Sequence, residues 1–112
     1  MKTILTLVDF SDASTNALSF AAELSKRASA RLVILNIFQK AADEEETKNK
    51  LKSLESDLKT SFGSDLNCES SFAHGDIIST LNKLIAVHKP DLIVMGTKGA
   101  SGLKKMLIGS NT

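Results

Sequence analysis

A chain of 112 residues, 42% hydrophobic and 24% charged, has room for one domain and no more. Its formal net charge of +1 argues against a general nucleic-acid binder, which would be clearly basic. No apolar run approaches the ~20 residues of a membrane span. The single cysteine, Cys68, excludes an internal disulfide framework and a cysteine zinc site.

In chain order, the first predicted element is a strand over Ile4–Val8. Asp9 interrupts this apolar run too early for a signal peptide, and no small-residue cleavage site follows, so a cytoplasmic domain is expected. From Ser14 to Ala28, the residues Ala17, Leu18, Ala21, Leu24 and Ala28 share one helical face, with Ser11 or Asp12 as N-cap. Leu32–Ile37 is a second strand. Short runs this rich in Ile, Val and Leu suit strands covered on both faces. Leu51, Leu54, Leu58 and Phe62 then mark a narrow apolar stripe on a charged helix. Glu44/Lys48, Glu46/Lys50 and Glu55/Lys59 support it as pairs four residues apart in the favourable order. The acidic run Asp43–Glu46 reads as a solvated first turn at the positive end of the helix dipole. Leu66–Ala73 alternates, with Leu66, Cys68, Ser70 and Phe72 on one side, as expected of a half-exposed edge strand. Asp76 is the predicted cap of a third helix with a broad buried face of Ile77, Ile78, Leu81, Leu84, Ile85 and His88, closed by Pro90. Leu92–Met95 is the fourth strand. Loops are expected around Lys40–Glu44 and Gly63–Asp65. The alternation of strands and helices predicts an α/β fold: an open parallel sheet with right-handed crossovers and helices on both faces.

In such a sheet, ligands bind beyond the carboxyl ends of the strands, where the strand order reverses. Two strand ends carry suitable residues: Val8-Asp9-Phe10-Ser11 and the glycine-rich Met95-Gly96-Thr97-Lys98-Gly99-Ala100-Ser101-Gly102. Successive N–H groups in a glycine-rich loop can form an anion-binding concavity. Gly109-Ser110-Asn111-Thr112 reads as the opening of another helix, whose N–H groups would attract phosphate. Each feature also has a plainer reading. Asp9 could cap the first helix or its turn, and Gly96 and Gly99 could be turn residues. Lys98 lies within the loop, while Lys104 and Lys105 read as a solvated face. His74 reads as a loop residue, His88 as a partly buried structural histidine, and Cys68 as an inert thiol without a basic neighbour. Neither the phosphate loop G-x-x-x-x-G-K-[S/T] nor G-x-G-x-x-G, G-x-S-x-G or His-x-Gly-His occurs. No general base is held against an attacking water, so no catalytic set and no metal-ligand set are assigned.

Gly96-x-x-Gly99, nine residues and then Gly109-Ser110 resemble the G-x2-G-x9-G-[S/T] signature of the ATP-binding class of universal stress proteins. With Asp9 after the first strand, His74-Gly75-Asp76 and Pro90–Thr97, the resemblance covers the whole chain. It implies an adenine-nucleotide alpha-hydrolase-like sheet in the order 3-2-1-4-5, dimers formed through the fifth strand, and ATP, with or without Mg2+, as the cofactor. It further implies that Asp9 accepts hydrogen bonds from the ribose or adenine and that the backbone at Ile37 borders the adenine. Gly96 and Gly99 would let the loop turn around the ribose and phosphates, with Gly109, Ser110 and Thr112 on the phosphate oxygens. Family members continue past the position of Thr112 through a fourth helix and a fifth strand. The expectation is therefore one domain over 1–112, incomplete at its C-terminus, in the order 3-2-1-4. It would act as a homodimer or as part of a tandem pair. The expected function is a regulatory, non-enzymatic response to stress. The alternatives are an interaction module that pairs through its sheet edge without nucleotide, or a weak ATPase.

Overall fold

The computed structural model describes residues 2–96. The elements run β1 (Thr3–Leu7), α1 (Asp12–Ala28), β2 (Arg31–Phe38), a short 3-10 turn (Ala41–Asp43), α2 (Glu44–Phe62), β3 (Cys68–His74), α3 (Ile77–His88) and β4 (Leu92–Met95). All four strands are parallel and lie in the order β3-β2-β1-β4, as the resemblance implied. Leu5 stands opposite Val33 on one side and Ile93 on the other. Among the described residues, no helix is long and apolar enough to cross a membrane.

The alternation of side chains along β1 and β2 divides the core into two layers. Ile4, Val8, Leu32 and Ile34 face Leu18, Ala21 and Ala22 of α1 and Leu51 and Leu58 of α2. Leu5, Leu7, Val33, Leu35 and Ile37 face the other way, against Leu81 of α3. Both central strands are therefore buried throughout, apart from the half-buried Arg31 that opens β2, which accounts for their continuous apolar runs. Within them, Thr6 is fully buried and its hydroxyl has no hydrogen-bond partner among the described residues.

Local signals set most element ends. Ser11 is the N-cap of α1, accepting from the Ser14 N–H at 3.2 Å, so the helix begins at Asp12, two residues before the apolar periodicity does. Asp76 caps α3 in the same way, through the Ser79 N–H at 3.0 Å. Asp43 closes the 3-10 turn without a capping bond, and Glu44, Glu45 and Glu46 fill the first turn of α2. β3 is an edge strand, but it starts at Cys68, and its alternation fades after Glu69 because α2 covers part of it. There the Ser70 hydroxyl donates to Glu55 Oε1 at 2.8 Å.

One expectation needs correction. The buried face of α3 is narrow: only Leu81 is buried, with Ile77, Leu84 and Ile85 packed beside it. Ile78 is 47% exposed and His88 half-buried. Ile77 and Ile78 point about 100° apart on a helix of 3.6 residues per turn, so a single sheet face cannot cover both.

Candidate functional site

The end of β1 passes into a tight turn that aims Asp9 away from the core. Phe10 adopts a left-handed conformation (φ 64°), uncommon for a bulky residue, and Ser11 then starts α1. One carboxylate oxygen of Asp9, Oδ1, accepts from the Ser11 N–H at 3.0 Å and from the Ser11 hydroxyl at 2.5 Å. The Asp9 N–H donates to Ser14 Oγ at 3.3 Å. Partial burial by itself would raise the carboxyl pKa, but the bonds from Ser11, with help from Ser14, outweigh it and hold the group below its ordinary value. Asp9 is thus an ionised acceptor at neutral pH. Its Oδ2 has no hydrogen bond among the described residues.

Asp9 lines a cleft of about 410 Å³ at the carboxyl ends of β1 and β2. Asn36, Ile37 and Phe38 form the β2 wall, with Thr47 and Lys50 on the α2 side. The Lys50 ammonium sits 5.1 Å from the centre of the Phe10 ring and 3.3 Å from Glu46 Oε2. The volume falls within the range of small-molecule sites. Among the described residues, three carboxylates (Asp9, Asp43, Glu46) and two ammonium groups (Lys40, Lys50) surround it. That balance suits a polar, uncharged moiety and gives no net attraction to a polyphosphate.

Asp9 and Ile37, which the family resemblance assigned to one nucleotide site, share one cleft. Gly96 lies at the same end of the sheet, one residue beyond the Leu7–Met95 pair, but does not line the cleft. Its local need for glycine is steric: a Cβ there would stand 2.5 Å from the Ala13 carbonyl oxygen and 2.7 Å from Ala17 Cβ. Gly99, Gly109, Ser110 and Thr112 lie outside the described residues, as do Lys98, Lys104 and Lys105. His74 ends β3 on the surface, its Nε2 donating to the Gln39 carbonyl at 3.0 Å and its ring beside Phe38. Cys68 is buried, and desolvation, then the nearby Glu55 charge, push its thiol pKa up, away from reactivity.

Two residues were given no role of their own in the sequence reading. Asn36 sits 7% exposed in a strand otherwise apolar from Leu32 to Phe38, and its side-chain Nδ2 donates to the Val8 carbonyl at 2.8 Å. A lone polar residue inside a buried run was the available signal. Asp91 Oδ2 accepts from the Lys2 N–H at 2.9 Å and the Thr3 N–H at 3.0 Å, pinning the start of β4 to the start of β1.

Residues 1–112 match the model of the universal stress protein family. The chain is 30% identical to Universal stress protein YxiE of Bacillus subtilis, over 96% of this chain and 86% of that protein. A universal stress protein from Burkholderia pseudomallei superposes with a TM-score of 0.78 at 25% identity, covering 96% of this chain and 88% of its own. One from Archaeoglobus fulgidus, solved in complex with dAMP, gives 0.80 at 18% identity, covering all of this chain and 94% of its own. A universal stress protein in complex with cAMP gives 0.71 at 24% identity, covering 98% and 86%.

Proposed function

The chain belongs to the universal stress protein family, and on that premise we propose that it is an adenine-nucleotide-binding module, with ATP as the ligand and regulation rather than turnover as its role. The observation that carries the reading is the cleft shared by Asp9 and Ile37 at the carboxyl ends of β1 and β2. Two fold relatives hold adenine nucleotides, dAMP in one and cAMP in the other, which supports the same ligand class here.

In this reading the base lies against the β2 tip at Ile37, and the ionised Asp9 carboxylate accepts from the ribose or the base. An ionised carboxylate is purely an acceptor, which fits hydroxyl and amino donors and repels phosphate. The mixed charge of the cleft agrees: the nucleoside sits there, and the phosphates extend toward the β4 side. Gly96, Gly99 and the amides and hydroxyls of Gly109, Ser110 and Thr112, the residues of the family signature, would receive them, Mg2+ accompanying the phosphates. The module would act in the cytoplasm as a homodimer or beside a second such domain, its association tuned by occupancy.

The test is thermal unfolding with and without ATP and magnesium. A ligand that binds only the folded state at 100 times its Kd stabilises by about 2.7 kcal/mol. A clear upward shift of the midpoint, absent with Asp9→Ala, is expected, together with a flat phosphate-release trace. An unmoved midpoint at saturating ATP overturns the proposal. Mass spectrometry of any small molecule that copurifies identifies the natural nucleotide.

A further inference from the structure

We infer that Asn36 is a positioning residue of this cleft: its side-chain amide takes the place of the last backbone rung between β1 and β2 and so keeps the two strand tips parted. The inference rests on the proposed nucleotide site for its functional consequence, but its structural content stands separately.

In a parallel ladder, a residue on one strand donates to the carbonyl before its partner and accepts from the N–H after it. The β1–β2 register ends at Leu7–Leu35, so Val8 would next face Asn36. Val8 makes the first half of that rung, its N–H donating to the Leu35 carbonyl at 2.8 Å. The second half would run from the Ile37 N–H to the Val8 carbonyl. That carbonyl is taken instead by Asn36 Nδ2 at 2.8 Å. Since a carbonyl can only accept, the amide orientation of Asn36 is determined by its partner. Among the described residues the Ile37 N–H makes no bond to Val8, and Ile37 and Asn36 both line the cleft.

The chemistry explains why a carboxamide is buried here at all. An unpaired buried amide would be costly, and an apolar residue at position 36 would extend the row of Leu32 and Ile34 without penalty. With Asn36 in place, the Val8 carbonyl is satisfied without drawing the Ile37 backbone in. The β2 tip can diverge from β1, and among the described residues the Ile37 N–H is left without a β1 partner in the cleft that Asp9 also lines. Without the amide, the Ile37 N–H is the nearest replacement donor. The ladder would then close by one rung across the site.

Amide hydrogen exchange on the full chain, read by NMR without nucleotide, tests this directly. In the native protein the Ile37 amide should exchange faster than the Leu35 amide and become protected when ATP is added. In Asn36→Ala it should be protected already without ATP, and ATP affinity should fall about tenfold, the scale of one lost hydrogen bond. Asn36→His, which offers a ring N–H from the same branch point, should restore fast exchange and most of the affinity. Should Asn36→Ala not fold, Asn36→Thr, a good strand residue whose hydroxyl is too short to reach Val8, carries the same comparison. Unchanged Ile37 exchange in the variant that folds overturns the inference, and so does unchanged ATP affinity. If the native protein binds no ATP, the proposed function fails while the exchange result still decides the role of Asn36.

Discussion

The two ends of β1 are each attended by an aspartate with a lowered pKa, and the two carboxylates do different work. At the start of the strand, Asp91 uses one oxygen to accept two backbone N–H groups, those of Lys2 and Thr3, from a segment almost the whole described chain away. These bonds, the Lys2 one foremost, pull its pKa down. Just beyond the end of the strand, the Asp9 carboxylate bonds only within its own turn, through Ser11, and Asp9 lines a cleft. A lowered pKa therefore does not by itself identify a functional carboxylate. What separates the two is the reach of their bonds and the end of the sheet they occupy, since only the carboxyl ends of parallel strands open onto a ligand site.

This contrast can be broken most decisively at Asp9. Asp9→Ala should abolish the ATP-induced rise in melting midpoint, a loss of up to about 2.7 kcal/mol of ligand stabilisation at 100 times Kd. The midpoint without ligand should change far less, and scanning calorimetry with and without ATP reads both. Gly96 sharpens the comparison because it shares the end of the sheet with Asp9 but is required by packing. Gly96→Ala forces a methyl into the Ala13 carbonyl and should cost about 1–3 kcal/mol in urea unfolding, nucleotide present or not. Between the two ends, Thr6→Val should stabilise by about 1 kcal/mol, because it removes a buried hydroxyl that lacks a partner. A loss of stability there would mean that the hydroxyl is satisfied after all.

The smallest effect concerns Asp91 and acid. A carboxyl whose folded pKa lies below its unfolded value of about 3.8 adds stability that is fully present above that value. That stability disappears as pH falls through the lowered folded value. Asp91→Asn should therefore lower the midpoint slightly at pH 7, and by progressively less as pH falls below 3.8, with ATP affinity unchanged at pH 7. A drop in affinity would place Asp91 in the site and collapse the distinction.

The sequence patterns reached the fold through particular residues. Ile4–Val8 and Leu32–Ile37 announced strands covered on both faces because short, nearly continuous runs of Ile, Val and Leu suit burial between two helix layers. Ser11 and Asp76 announced helix starts because their oxygens cap free amides. Asp9 and Ile37 could be brought to one site only through the family resemblance and the strand order, since nothing local joins residues 28 positions apart. The roles of Asn36 and Asp91 were missed for a common reason. Each earns its role from a partner in another strand, and one-dimensional periodicity records burial but not which carbonyl or amide lies across the gap. The third helix was overread because counting apolar residues ignores how wide a face one sheet can cover.

The strand order has a consequence for how the chain is made. Of the four described strands β1 leaves the ribosome before the others, yet it finishes in the sheet interior with β2 on one flank and β4 on the other. Its first flank can be closed as soon as residue 38 emerges, while the second stays open until residue 95 does. Closing so long a loop is entropically slow. The Asp9–Ile37 cleft, built from the tips of β1 and β2, the 3-10 turn, α2 and Ile77 of α3, can thus be complete on a nascent chain before β4 arrives, and on the proposed reading a nucleotide captured then would act as a folding aid.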